Sequence, residues 1–302
     1  MSIVEAPVAA PVPDDPPVAA EPRPRGRAGI LRFSALVVTA AAFAYPLVWL
    51  ISSSLKDRAH VFDNTLIPSP LMLDNYAEIW QAAPLLLWVG NSVLVGLAAA
   101  GAATLSSAVV AYGFARFRFP GRNLMFGLVL ATMMLPSAVT MVPVYLEWHA
   151  AGLATTQIPL WAQNLFGSAF YIFLLRQFFL GLSSEIFDAA KVDGAGHLRT
   201  FTRIALPLTT PALIVVFVFE LKAAWTDLIK PLIYLRQPDF YTLPRGLKAI
   251  LDRFGQGGES QWELVLAAST VATVPMVLLF LFAQRYFVRG LATQPHRGQA
   301  GS

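Results

Sequence analysis

The chain has 302 residues, of which 56% are hydrophobic and only 13% charged, with no cysteine and a formal charge of +4. The charged share is about half that of soluble domains, and the mean hydropathy of +0.58 and pI near 9.5 therefore read as the positive-inside bias of a membrane protein rather than as a nucleic-acid surface. The missing cysteine excludes disulfides, thiolate metal sites and cysteine nucleophiles.

Residues 1–27 are rich in Pro, Ala and Val without an apolar period. Repeated prolines block helix and sheet alike, so a disordered tail is expected there. Arg23, Arg25 and Arg27 precede an apolar run over about 30–53. This run is too long for the core of a signal peptide, and no small-residue cleavage site follows it, so it reads as a first spanning helix. Five further apolar runs follow, at about 86–114, 124–147, 159–180, 208–234 and 262–288. The second contains Gly96, Gly101, Ser106 and Ser107, small enough for close helix packing. Pro46, Pro136, Pro143 and Pro275 fall inside spans, which a bundle tolerates when neighbours or water satisfy the freed carbonyls. With both termini inside, 14 Lys and Arg residues lie inside against 7 outside, with Lys222 inside a span. That bias predicts cytoplasmic termini and a cytoplasmic loop at 181–207. The longest loops, 54–85 and 235–261, then face out.

The 181–207 loop is a polar island between two apolar runs. Ser183 and Ser184 are N-cap candidates, Glu185 suits the first turn, and Gly194 is a natural stop, so a helix of about ten residues is predicted. A second short helix is expected from about 197 to 206, with Leu198, Phe201 and Ala205 on one face, and Pro207 opening the fifth span. The small Ala189–Ala190 pair permits close approach by another surface. On local physics alone, an amphipathic linker lying on the bilayer is an equal alternative.

The order Asp188-Ala189-Ala190, Asp193-Gly194-Ala195, then Ile204-Ala205-Leu206-Pro207 resembles the EAA loop of binding-protein-dependent ABC importer permeases. Ala111 to Arg116, Phe119-Pro120-Gly121-Arg122, Trp225-Thr226-Asp227-Leu228, Tyr241-Thr242-Leu243-Pro244 and Gln284 to Leu291 are similar to elements of the carbohydrate-uptake branch, which includes the smaller maltose-permease subunit. The likeness spans about residues 30–291. It implies an all-α membrane protein of the type I importer kind. Six transmembrane helices over 28–291 would carry a cytoplasmic coupling helix, with a cytoplasmic tail at 292–302. It implies docking on an ATPase through Asp188, Ala189, Ala190, Asp193, Gly194 and Ala195, with Leu206 and Pro207 joining the loop to the bundle. The implied partners are a homologous second permease subunit, an ATPase dimer and an extracytoplasmic solute-binding protein. No cofactor is expected in this chain itself, ATP and Mg being held by the ATPase. The implied home is a bacterial inner membrane. Three features depart from the family pattern: Asp188 stands where Glu is usual, Thr226 stands where Asn is usual, and the tail after Leu291 lacks the usual ending.

No phosphate-binding G-x-x-x-x-G-K-[ST] is present, so the chain is not expected to hydrolyse ATP, and no nucleophile elbow appears. His60, His149, His197 and His296 have no metal-ligand spacing, so neither a catalytic nor a metal site is expected. Glu220 and Asp227 are seven apart on one stripe with Ala223 and Ala224, and ionisable groups at such depth face a cavity or a partner. Counted from Pro207, Glu220 lies about 20 Å along the fifth span. With Trp225 and Asn164 these acids form a candidate substrate path, since an aromatic beside carboxylates suits a sugar. The other reading is an ion pair at a subunit interface. A sugar importer is therefore the leading expectation, as a di- or oligosaccharide or related glycoside. Glycerol-3-phosphate or a glycerophosphodiester is the alternative within the family. A stand-alone secondary transporter, or a membrane scaffold without a path, is the alternative outside it.

Overall fold

A computed structural model describes residues 27–255 and 260–292. Most of the expected N-terminal tail, and all of the C-terminal one but Ala292, lie outside the described residues. The chain divides into two compact units, 1–48 and 49–302. The described part of the first unit belongs to helix α1 (Arg27–Ser54), whose first residue, Arg27, was expected in the tail. Within residues 29–54 an 18-residue stretch has a mean hydropathy of 1.9. At 1.5 Å per residue the whole of 29–54 is about 39 Å long, enough for a hydrocarbon core of about 30 Å. Ile30, Leu31, Phe33, Val38 and Phe43 are all exposed, the surface of a helix made for apolar surroundings.

In the second unit every regular element among the described residues is helical. The segment expected as the first outer loop contains α2 (Asp74–Ala82), which buries Asn75 and Ile79 one turn apart. The Asn75 amide donates to the carbonyls of Ser54 and Lys56 at 3.0 and 2.9 Å, and buried Lys56 donates to the Asp63 carbonyl at 2.7 Å. Helix α3 (Leu85–Arg116) follows, 32 residues long. Its buried positions include Ser92, Val95, Gly96, Ala99, Ala100, Ala103, Thr104, Ser107, Ala108 and Ala111. This spacing of three and four makes one continuous stripe of small side chains. Backbones can approach closely along such a stripe, and dispersion contacts then replace the bulk of large side chains.

The next spans are broken. Helices α4 (Arg122–Thr132) and α5 (Ser137–Ala150) meet at 98°. The break falls where Pro136 follows Leu135, because a residue before proline is driven out of the helical region. Helix α6 (Ile158–Trp161) and the turn after it meet α7 (Ala169–Gly181) at 41°, across Gly167 with φ +80°. Beyond α7 come α8 (Ser184–Val192), α9 (His197–Thr200), a π-helical turn over Phe201–Ala205 and α10 (Leu206–Leu208). The segment His197–Leu208 turns by 77° into α11 (Thr210–Thr226). The fifth span therefore opens at Thr210–Pro211 rather than at Pro207. A straight helix through Thr209 would drive the Pro211 ring against the carbonyl of residue 207. It also ends at Thr226, and α12 (Ile229–Tyr234) is a separate short helix. Helix α13 (Leu243–Phe254) fills the segment expected as the second outer loop, burying Leu243, Gly246 and Ile250 on one face. Helix α14 (Trp262–Ala292) is the last, with Pro275 inside it. Among the described residues, three helices are long and apolar enough to cross a membrane, or up to six spans if each bent pair counts as one.

Helix α3 packs against both α7 and α11 and runs through two buried clusters. One gathers Trp88, Leu160, Trp225, Leu235, Leu243 and Leu264. The other gathers Tyr112, Tyr171, Leu175, Phe179, Ala205 and Val216.

The first cluster closes through Gly246, where a Cβ would lie 2.0 Å from Trp88 Cε3. Trp88 is buried, and its indole N–H donates to the Pro238 carbonyl at 2.9 Å, so the ring is not free to swing aside. Gly246→Ala is expected to cost about 2 kcal/mol of stability through overpacking, read as a lower unfolding midpoint in detergent. The same change in a Trp88→Leu background should cost little more. An unshifted midpoint for the single variant would show that the ring relocates without cost.

Candidate functional site

Two regions contain the residues singled out from the sequence. The first is a polar cavity of ≈ 230 Å³ lined by Asn164, Glu220, Ala223, Ala224, Asp227 and Lys230, among others. The predicted stripe on α11 is therefore a cavity wall. A helical repeat of 3.6 residues puts 220, 223, 224 and 227 on one side. Because α11 begins at Thr210, Glu220 lies ten residues, or about 15 Å, along the span. That is nearer the middle of a membrane than the position counted from Pro207.

Glu220 is half-buried and firmly held. The Asn164 amide donates to its Oε1 at 2.7 Å. Tyr171, buried on α7, lies close to the same carboxylate. The main chain at Asn164 is fixed as well, its carbonyl accepting from Ser106 Oγ at 2.8 Å. Three elements, α3, the turn after α6 and α11, are thus tied through one polar node, with Tyr171 of α7 beside it.

Asp227 stands just past the end of α11 and lines two further cavities, of ≈ 570 Å³ with Phe219, Lys222 and Thr226, and of ≈ 540 Å³ with Gln163, Lys230 and Tyr234. Its Oδ1 accepts from the Lys230 backbone N–H at 3.2 Å, and its Oδ2 lies 3.6 Å from Lys230 Nζ. It is at once the first-turn anchor of α12 and the meeting point of three openings. Trp225 does not join it. The five-residue offset from Glu220 turns Trp225 about 140° around the helix, and it is buried in the core cluster with Leu160 and Leu243. Its expected place on the path is corrected to a packing role. Burial, with Tyr145 and Glu147 nearby, pushes the Tyr234 phenol above its ordinary value.

The second region is the loop that carries α8. The Ser183 hydroxyl accepts from the Glu185 N–H at 3.2 Å, which caps the helix. At the other end Gly194 adopts φ +72°. Gly194 N donates to the Lys191 carbonyl at 3.1 Å and Ala195 N to the Ala190 carbonyl at 2.9 Å, the paired bonds of a Schellman stop. The helix has 9 residues. Asp188, Ala189, Asp193 and Gly194 are exposed, but Ala190 is turned inward at 5% exposure and Ala195 is half-buried. The small-residue pair is therefore split, with one alanine facing out and one packed against the chain itself. The outward face includes Ile186, Ala189 and Val192, the last 87% exposed, beside the charged Asp188 and Lys191. Leu206 packs on the cluster of Tyr112 and Phe179, and Pro207 is exposed just before the bend.

A family model described as "Binding-protein-dependent transport system inner membrane component" matches residues 103–293. The chain belongs to that family. As a family member it is a multi-pass inner-membrane protein. It is 35% identical over 259 residues to the arabinooligosaccharides transport system permease protein AraQ of Halalkalibacterium halodurans, covering 84% of this chain and 91% of that one. It is 34% identical over 264 residues to the sn-glycerol-3-phosphate transport system permease protein UgpE of Yersinia enterocolitica, covering 85% and 93%. Its fold matches a chain of a bacterial ABC transporter involved in import of the acidic polysaccharide alginate, with a TM-score of 0.77 at 21% identity, over 87% of this chain and 99% of that one.

Tyr171 and Val192 were not legible as site residues in the sequence of this permease. Tyr171 sits in the apolar run Ala169-Phe170-Tyr171-Ile172, where only its hydroxyl marks it, and Val192 reads as one more apolar residue in a helix.

The hold on Glu220 sets an expectation. Glu220→Leu strands the Asn164 amide in a partly buried site, at a cost of about 2 kcal/mol. Glu220→Gln keeps an acceptor and should lose far less. Unfolding midpoints of the purified permease decide it: equal midpoints for the Leu variant and the wild type would mean that the carboxylate ties nothing together.

Proposed function

We propose that this chain is one permease subunit of an ATP-driven, binding-protein-dependent importer of a sugar, a di- or oligosaccharide or related glycoside. The reading rests on family membership, together with one observation: a capped helix hung between two bent spans that presents Ile186, Ala189 and Val192 outward. In this reading the six spans form one bundle with both termini in the cytoplasm. Helix α8 seats in a groove of a separate ATPase subunit, and this chain hydrolyses no ATP. A second, homologous permease forms the other half of the path. A loaded extracytoplasmic binding protein releases its solute there, and ATP-driven closure of the ATPase pair pushes α8 and rocks the bundle.

The cavity favours a neutral, hydroxyl-rich solute. Glu220, Asp227 and Asn164 accept and donate hydrogen bonds, and Lys230 is already paired with Asp227. A phosphate would meet a net negative wall. Glycerol-3-phosphate remains the second reading, because UgpE permeases are about as similar to this chain as AraQ.

Val192→Asp tests the docking face. The side chain is so exposed that the change should move the stability of this chain by no more than about 0.5 kcal/mol. Recovery of the ATPase in the purified complex, and ATP-dependent uptake of labelled oligosaccharide into proteoliposomes, should both drop steeply. Undiminished recovery would place the docking surface elsewhere. Uptake by this chain alone, without an ATPase, would make it a secondary transporter.

A further inference from the structure

The α8 helix is joined to the bundle by short links. Leu182 and Ser183 before it are extended, and four residues after it, ending at Gly196, turn the chain into α9. A force on a helix held only by such links would tilt it and go no further. The structure supplies a second connection at the end of α3.

We propose that Arg116 is the positioning residue that locks α8 to the bundle, so that α8, α3 and α7 move as one body. The inference rests on the coupling role proposed above for α8. Arg116 is the last residue of α3. Its Nη2 donates to the Phe179 carbonyl at 2.7 Å and to the Leu182 carbonyl at 3.0 Å. These groups lie at the C-terminal end of α7, where helix carbonyls lack helical partners and attract a cation. Its Cζ also lies 3.6 Å from the centroid of the Phe187 ring, on the half-buried side of α8. One planar group thus bonds the end of α7 and stacks on α8, while its stem belongs to α3. Lysine cannot reproduce this, since its ammonium is a point charge without a flat face.

One turn earlier, Tyr112 covers the exit of the loop. Its ring centroid is 5.5 Å from that of Phe179 and 4.9 Å from that of Phe201, where the π-helical turn leading to α11 begins. The His197 and Phe117 rings add an edge contact at 5.1 Å. The last turn of α3 therefore touches both the entry and the exit of the segment that carries α8.

The test uses the whole complex, with its ATPase pair, second permease and binding protein, in proteoliposomes. The quantity read is solute taken up per ATP hydrolysed. Arg116→Lys and Phe187→Leu are each expected to lower that ratio about tenfold while hydrolysis continues, from loss of the stacked contact. The double variant should fall no further than either single one, because both remove the same contact. Phe187→Tyr keeps the ring face and should retain most of the ratio. A merely structural role would instead reduce the yield of assembled complex and leave the ratio in the assembled fraction unchanged. That result, or wild-type ratios for both single variants, would overturn the role of Arg116 and leave the importer reading intact. Wild-type uptake that needs no ATP would overturn both.

Discussion

The close packing of α3 against α7 and α11 is the constraint on which the second unit depends. It is possible because α3 presents Gly96, Ala99, Ala100, Ala103, Ser107, Ala108 and Ala111 along one side. At Gly96 even a methyl group would meet the Leu221 side chain at 2.8 Å. In a membrane, burial of apolar area gives little drive for helices to associate, because lipid is as apolar as leucine. Close van der Waals contact and a few polar ties must do it instead. Here the polar ties are Ser106 to the Asn164 carbonyl and Asn164 to Glu220, at the same level as the stripe. A bulky residue in the stripe would separate α3 from α11 and open the node around Glu220.

The second constraint is where the spans break. Pro136, Gly167 and Pro211 each end a helix that hydrophobicity alone would continue. The breaks at Gly167 and Thr209 shape the two regions that contain the candidate site residues. The first brings Asn164 beside Glu220, and the second turns the loop segment by 77° before α11 begins. Without that turn, Leu206 would not reach the cluster around Tyr112, and the push proposed for α8 would have no short route into the fifth span. The π-helical turn at Phe201–Ala205 lies in that route, and such turns are frequent at functional sites.

The two regions differ in the kind of interaction they use. The Glu220 node is a hydrogen-bonded carboxylate in a partly dry setting, where a missing partner is costly. The end of α3 uses a guanidinium that bonds carbonyls and lies over a ring, which tolerates small sliding better than a fixed array of short hydrogen bonds. That difference suits the proposed importer, in which the centre would hold its shape while the edge transmits movement.

Much of this was legible in the chain itself. The apolar runs, Gly96 and Ser107 among the small residues of α3, the cap at Ser183, the stop at Gly194 and the shared face of Glu220 and Asp227 are all local features of the sequence. Local pattern did not reveal which proline would break a helix, since Pro46 and Pro275 sit inside intact helices while Pro136 and Pro211 mark bends. Nor did it reveal that Trp225 and Ala190 face inward, or that Tyr171 and Arg116 reach across to other elements. A helix repeat fixes which residues share a face but not what that face meets. The sequence by itself determined where the apolar runs lie, the polar loop and the family. The tertiary structure decided which side chains converge, because that depends on distances between elements far apart in the chain.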